Sequence, residues 1–173
     1  MSDSGNPATG ESAATATPAK RDRVFLVVVD DSPERAVALR YASLRVRNGG
    51  GRVALLRVME PAEPMFWAGV GAMMAEERRE EAEKVLSGLA AEVQEITGGM
   101  PILLIREGDP REALEALLAE DPRISILVLA AAADGGGPGP LISSLVGRNA
   151  GRLPLPVTIV PGGLSDAELE RVT

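Results

Sequence analysis

The 173-residue chain contains no cysteine and no histidine, and only four of its residues are aromatic. Without thiol or imidazole groups it cannot form disulfides, thiol nucleophiles, zinc sites of the Cys/His type or a serine–histidine hydrolase. Lysine occurs only at Lys20 and Lys84, whereas arginine occurs sixteen times. Phosphate-loop and Schiff-base lysines therefore have almost no candidates, and several common kinds of catalytic site are excluded.

Positive charge and long hydrophobic runs are also scarce. The formal net charge is -7 and the pI is near 4.8, which disfavours binding to nucleic acid by counterion release. The longest nearly apolar run, Ile124–Ala133, is half as long as a membrane span, and the start MSDSGN lacks a signal pattern. We expect a cytoplasmic protein with no nucleic-acid or membrane partner, and residues 1–20, rich in Ala, Ser, Thr, Gly and Pro, as a disordered tail.

The remaining sequence alternates apolar runs with helical patterns. The run VFLVVV at Val24–Val29 lacks polar alternation, as expected for a strand covered on both faces. Ser32 and Pro33 then predict a helix with Ser32 as its N-cap. Asp109-Pro110 predicts a second helix start of the same kind. The other predicted strands span residues 52–59, 101–106, 124–130 and 157–160.

Five predicted strands alternate with four predicted helices, the last from about Leu141 to Arg152. Such alternation predicts an α/β fold, a single-domain, doubly wound, five-stranded parallel sheet, because each parallel connection is a right-handed crossover with a covering helix. Ligands of such sheets bind beyond the carboxyl ends of the strands. We place the domain at residues 21–163 and a C-terminal tail at residues 164–173.

Several blocks in this order resemble the universal stress protein family, a Rossmann-like fold. They are VVVDDSPERAVALRYA, VALLRVME, REGDPREALEALL, ISILVLA and LPVTIVP, and they span about Val24 to Gly163. The resemblance implies a stress-response protein that is not an enzyme. It also implies a homodimer joined through the last strand and weak binding of an adenine nucleotide, ATP or AMP, with Mg²⁺.

The resemblance also implies site residues at the ends of the first two strands. The family's first strand ends in an Asp, one residue and a Ser, which Asp30-Asp31-Ser32 matches. Asp30 corresponds to a contact with the adenosine part of the nucleotide, and Val58 to a position that packs against adenine. A turn acid, a helix cap and a core valine are the purely structural interpretations of Asp30, Ser32 and Val58.

The family's phosphate signature is a glycine, two residues, a glycine, nine residues, and a glycine followed by Ser or Thr. Gly137 and Gly147 have the nine-residue spacing, but Asp134 stands at the first glycine and Arg148 at the hydroxyl position. Glycines let backbone amides approach phosphates, and an arginine can bind two phosphate oxygens. The candidate nucleotide-binding residues implied here are Ala130, Gly135, Gly136, Gly137, Gly147, Arg148 and Asn149.

Two functions remain open. A carboxylate about 4 Å from a phosphate opposes binding by roughly 1 kcal/mol in water and about 4 at an effective dielectric of 20. A charge-assisted bond from Arg148 contributes about 1.5 to 3 kcal/mol, so backbone amides would have to supply the rest of the roughly 8 kcal/mol of micromolar binding. The alternative is a family member that binds no nucleotide and acts through protein partners.

The last predicted strand suits a dimer interface. Residues 157–160 are short and apolar and lie between Pro156 and Pro161, which is typical of an edge strand. Pairing with a second copy across a two-fold axis would satisfy its open backbone groups. We therefore assign Val157 and Ile159 to a homodimer interface.

Overall fold

The computed structural model describes residues 23–61, 68–134, 137–147, 151 and 153–173. Within them, five strands alternate with helices in a single sheet. The strands are β1 Val24–Val28, β2 Arg52–Met59, β3 Ile102–Glu107, β4 Ile124–Ala131 and β5 Val157–Pro161. The helices are α1 Arg35–Gly49, α2 Ala68–Thr97, α3 Pro110–Glu120, α4 Gly139–Val146 and α5 Asp166–Val172.

The sheet is entirely parallel, with strand order β3-β2-β1-β4-β5. The chain runs outward from β1 through β2 to β3, then crosses back to β4 beside β1. The carboxyl ends of β1 and β4 therefore flank the switch in strand order, where an α/β sheet opens a crevice. This confirms the predicted doubly wound fold.

Each face of the sheet has its own core. Phe25 and Val27 of β1 pack into a cluster with α1, α2 and α5, whereas Val24 and Leu26 pack into a second cluster with α3 and α4. All four side chains are buried because successive residues of a strand point to opposite faces. The continuous apolar run of β1 is thus explained by burial on both sides.

The start of α3 agrees with its prediction. The Asp109 carboxylate accepts hydrogen bonds from the backbone N–H groups of Arg111 and Glu112, at 2.9 and 3.0 Å, and Pro110 occupies the first turn. These bonds satisfy two donors that have no partner inside the helix. The sequence pattern of acid followed by proline therefore identified a real helix cap.

The predicted cap of α1 is wrong. Ser32 does not cap the helix, which begins at Arg35 with Glu34 at the N-cap position and no side-chain cap bond. The Ser32 hydroxyl and backbone N–H both donate to Asp30 Oδ1, at 2.6 and 3.0 Å. A carboxylate two residues earlier competes for the serine, and the local turn replaces the cap.

The C-terminal residues also differ from their prediction, since 166–172 form helix α5 rather than a tail. Ser165 and Glu168 form a capping box, in which the Glu168 carboxylate accepts from the Ser165 N–H at 2.9 Å. Leu169 is 1% exposed and belongs to the cluster on the α1 side of the sheet. Residues 164–173 are therefore part of the folded unit. The predicted tail at 1–20 lies outside the described residues.

The fourth helix is shorter than predicted. It spans Gly139–Val146, and Gly147 follows as its C-cap, with its N–H donating to the Ser143 carbonyl at 3.2 Å. Arg152, its predicted end, lies outside the described residues. The helix therefore presents its first turn, not Gly147, to the carboxyl edge of the sheet.

Candidate functional site

A cleft of about 820 Å³ opens at the carboxyl ends of β1 and β2. Its volume falls within the range of pockets that hold small organic ligands. It extends across the top of the sheet, from α2 on one side to the first turns of α3 and α4 on the other. The residues that line it are Val28, Val29, Asp30, Asp31, Arg57, Val58, Met59, Glu60, Pro61, Gly71, Met74, Arg78, Glu81, Ala82, Val85, Pro110, Pro140 and Leu141.

Asp30 is held at the cleft by the turn that follows β1. Its Oδ1 atom accepts both bonds from Ser32, while its backbone carbonyl accepts from Arg35 Nη1 at 3.0 Å. Among the described residues, no hydrogen bond involves Asp30 Oδ2. The turn therefore orients the exposed Asp30 side chain. It leaves the Oδ2 atom available to a ligand hydroxyl. Ser32 supports Asp30 and does not line the cleft.

Val58 also lies where the resemblance implied. It is half-buried near the end of β2, packs against the α3–α4 cluster and lines the cleft. Together with Val28, which packs against the same cluster, it supplies an apolar surface near the Asp30 carboxylate. The structure thus brings together two of the predicted site residues, Asp30 in the turn after β1 and Val58 in the neighbouring strand β2.

The residues predicted from the phosphate signature fall into two groups, three that lie away from the cleft lining and four outside the described residues. Ala130 is half-buried in β4, opposite Val160, and Gly137 lies in the exposed segment before α4 with a φ of 88°. Gly147 lies at the far end of α4. None of these three is among the described residues that line the cleft. Gly135, Gly136, Arg148 and Asn149 lie outside the described residues.

The first turn of α4 takes the place expected for Gly147. Pro140 and Leu141 line the cleft, and Gly139 before them has a φ of 80°, a conformation that favours glycine. The N–H groups in the first turn of a helix have no partner within it and carry part of the positive end of the helix dipole. Pro140 has no N–H, so an anion at this side of the cleft would meet the backbone donor of Leu141.

An arginine and an aspartate that the sequence analysis did not single out pair at the cleft. Arg57 Nη2 donates to both carboxylate oxygens of Asp31, at 2.9 and 3.0 Å, and Nη1 donates to the Val29 carbonyl at 3.2 Å. The hydrogen bond from Arg57 is the main reason that the pKa of Asp31 lies below its usual value. The signal was present in β2, where a charge interrupts the apolar run VALLRVM close to its end.

Helix α2 forms the opposite wall. Gly71, Met74, Arg78 and Val85 recur at helical spacing along the side that faces the cleft. Arg78 Nη1 donates to the Glu60 carbonyl at 2.9 Å, and its Nε donates to the Met74 carbonyl at 3.1 Å. Arg78 therefore ties the α2 wall to the residue that follows β2.

Strand β5 lies at one edge of the sheet, beside β4 only. Val157 is half-buried, Val160 is buried, and Ile159 is 38% exposed. The two residues assigned to a dimer interface therefore lie on an open edge. The interface itself remains a prediction.

Among the described residues, no group of three or more acidic, histidine or cysteine side chains is arranged to hold a metal ion. Among the same residues, no helix has the length and apolar character needed to cross a bilayer.

Comparisons with known proteins agree with this architecture. The model of the universal stress protein family matches residues 23–161. The universal stress protein UspA from Lactobacillus plantarum is similar in structure, with a TM-score of 0.67 and 19% identity, over 81% of this chain and 98% of that one. No curated protein sequence matches the chain.

Two further structures of similar fold contain nucleotides. One is a universal stress protein in complex with cAMP, with a TM-score of 0.53 and 16% identity, over 82% of this chain and 98% of that one. The other is a family protein from Arabidopsis thaliana with AMP bound, with a TM-score of 0.50 and 14% identity, over 80% of this chain and 91% of that one. At these identities the likeness establishes the shared fold.

Proposed function

This chain belongs to the universal stress protein family, and from that premise we propose that it is a regulator that binds an adenine nucleotide in the cleft at the carboxyl ends of β1 and β2. The observation that carries the proposal is the union, in one cleft, of the Asp30 carboxylate, the apolar surface at Val58 and the first turn of α4. These three features suit the three parts of a nucleotide.

Each feature has a chemical counterpart in the ligand. A ribose hydroxyl is a donor that Asp30 Oδ2 can accept, and such a bond to a charged group contributes about 1.5 to 3 kcal/mol. A purine ring gains by leaving water for the apolar surface formed by Val28 and Val58. The phosphates favour the first turn of α4. The family structures with AMP and cAMP support a ligand of this class.

The proposed regulator is not an enzyme. The chain has neither histidine nor cysteine, which removes the usual general base near neutral pH and the usual thiol nucleophile. We propose that Mg²⁺ accompanies a triphosphate rather than occupying a site of its own, because this ion usually binds through substrate phosphates and one or two carboxylates. Asp30 and Asp31 are the acidic residues closest to the β1 end of the cleft.

The test is ligand binding with a matched variant. ATP with Mg²⁺, or AMP, at one hundred times its dissociation constant should stabilise the protein by about 2.7 kcal/mol. Asp30→Ala should weaken binding by about tenfold or more, whereas Glu83→Ala on the exposed part of α2 should leave it unchanged. Mass spectrometry of the purified protein would identify a nucleotide that remains bound. Failure of every adenine nucleotide to bind would overturn the proposal.

The second candidate function keeps the fold but not the ligand. Asp134 and Arg148 depart from the phosphate signature, and Gly147 is the C-cap of α4. These observations favour a protein that acts only through other proteins. A flat titration with ATP, AMP and cAMP, together with a stable fold, would select this candidate.

For either function we propose a homodimer through β5. The exposed Ile159 and half-buried Val157 lie on an edge strand whose outer backbone groups could pair with those of a second copy. Ile159→Lys should yield a monomer by light scattering, because it places a charge in the apolar contact. A dimer unchanged by this substitution would contradict the interface.

A further inference from the structure

The Arg57–Asp31 pair presents a hydrogen-bond donor beside an acceptor at the cleft. Arg57 is the more buried partner, with a side chain that is 20% exposed, and three bonds to Val29 and Asp31 orient its guanidinium. Asp31 has a side chain that is 80% exposed. The arginine is therefore the fixed element of the pair, and the aspartate is the accessible one.

Neither partner is saturated by these bonds. A guanidinium has five N–H donors, and an ionised carboxylate has about four acceptor positions. Arg57 Nε makes no hydrogen bond to any described residue, and Asp31 receives its only hydrogen bonds within that set from Arg57. The pair can bind a ligand without first separating, so the cost of ligand contact is small.

We propose that the Arg57–Asp31 pair reads the base of the bound nucleotide and selects 6-aminopurines over 6-oxopurines. The inference rests on the proposed nucleotide function, since it assigns the base specificity of the same cleft. It adds two residues to the site that neither the resemblance nor the phosphate signature singled out.

The argument depends on the pattern of donors and acceptors along a purine edge. Adenine offers the N6 amino donor next to the N7 acceptor, and one donor beside one acceptor, as in Asn or Gln, reads that edge. Asp31 would accept from N6 and Arg57 would donate to N7. A 6-oxopurine offers two acceptors, O6 and N7, so its O6 would face the Asp31 carboxylate.

The position of the pair fits this role. Arg57 and Asp31 line the same cleft as Val58 and Asp30. Val58 packs on the α3–α4 side, and Arg57, the residue before it in β2, points to the other face, so a base at the strand ends would lie between them. On the α2 side, the charged side chains that line the cleft are Arg78 and Glu81. Arg78 donates to the carbonyls of Met74 and Glu60, whereas Arg57 and Asp31 pair with each other at the strand ends.

The test compares AMP with IMP, which differ at position 6 of the purine. Calorimetric titration of the full chain should show a preference for AMP of about tenfold, the size of one well-made hydrogen bond. Asp31→Ala should reduce the ratio of AMP affinity to IMP affinity to one or below, because it removes the acceptor for N6 and leaves Arg57 free to donate to O6 and N7. Asp31→Asn should shift the ratio toward IMP, because its amide can donate to O6. Glu83→Ala, which removes an exposed ion pair of α2, should retain the wild-type ratio.

The outcomes separate this inference from the proposed function. If AMP binds and the AMP-to-IMP ratio is the same in wild type and Asp31→Ala, the pair does not read the base, although the cleft still binds nucleotide. If neither nucleotide binds to the wild type, the proposed function itself fails. Thermal unfolding of each variant checks that an altered ratio does not come from an unfolded protein.

Discussion

Replacement of Leu169 by alanine would test whether α5 belongs to the folded unit. Leu169 is 1% exposed and is the buried residue of this helix, where it joins the cluster beneath α1. Arg45 Nη1 also donates to the carbonyl of Thr173, the C-cap residue, at 3.5 Å, and the other attachments described for the helix are ionic. Arg47 Nη2 donates to Glu170 Oε2 at 2.6 Å, and Arg40 Nε lies 2.9 Å from Asp166 Oδ1 in an ionic contact without hydrogen-bond geometry.

The expected loss of stability follows from how deeply Leu169 is buried and how exposed the ion pairs are. A Leu→Ala change at a fully buried position costs about 2 to 5 kcal/mol, from lost transfer energy and the cavity that is left. The side chains of these ion pairs are 33 to 76% exposed, and pairs with such exposure contribute about 0 to 1 kcal/mol each. They cannot hold the helix alone. We expect Leu169→Ala to lower the free energy of unfolding by about 3 kcal/mol and Tm by roughly 6 to 12 °C.

Urea denaturation and amide hydrogen exchange would measure this effect. The urea concentration at the unfolding midpoint should fall. The amides of residues 166–172 should lose their protection from hydrogen exchange before those of the sheet. Val172→Ala is the matched control in the same helix, because Val172 is 48% exposed and should change stability by less than about 0.5 kcal/mol. Equal effects of the two substitutions would refute the docking of α5.

Two further predictions concern capping and pH. Asp109→Ala should destabilise the protein by about 0.5 to 2 kcal/mol, measured by urea midpoint, because it removes both cap bonds of α3; an unchanged midpoint would contradict the cap. The hydrogen bond from Ser165 lowers the pKa of Glu168, so its stabilising effect is complete above the ordinary glutamate pKa of about 4.3 and is lost as the pH falls through the lower folded value. Glu168→Gln should reduce the loss of stability on acidification, and an identical pH dependence would contradict this contribution.

The strands could be predicted because a continuous run of apolar residues directly indicates a strand that is buried on both faces. The run at 24–28 has no polar position, and only a parallel sheet between two helix layers buries every residue of such a run. The start of α3 was equally readable, because Asp109 has no competing partner nearby. The start of α1 was not, since Ser32 could bond either the helix or Asp30, and the choice depends on the turn.

Helix α5 shows a different limit. The spacing from Ser165 to Glu168 is a capping-box signal, and Leu169 is the apolar position beside it. A helix of seven residues is unstable by itself, so its existence depends on a docking surface that no local pattern reveals. The family resemblance ends before it and gave no reason to extend the domain.

The candidate site was predictable only in part. Asp30 and Val58 follow from the resemblance and from the rule that parallel strands deliver ligand residues at their carboxyl ends. Arg57 lies in β2 and Asp31 in the turn after β1, and their pairing depends on the register of β1 with β2, in which Val28 lies opposite Leu56. Register is a tertiary property, so the sequence shows both charged residues but does not predict that they form an ion pair.

The central claim is that an adenine nucleotide binds at the carboxyl ends of β1 and β2. Titration of the isotope-labelled protein with AMP, followed by the NMR shifts of backbone amides, tests it most directly. We predict that the largest shifts occur at Val29–Asp31, Val58, Met59 and Leu141, and that Asp121 and Arg123 at the opposite edge stay unchanged. Shifts concentrated at that opposite edge, or no shifts at millimolar AMP, would contradict the account.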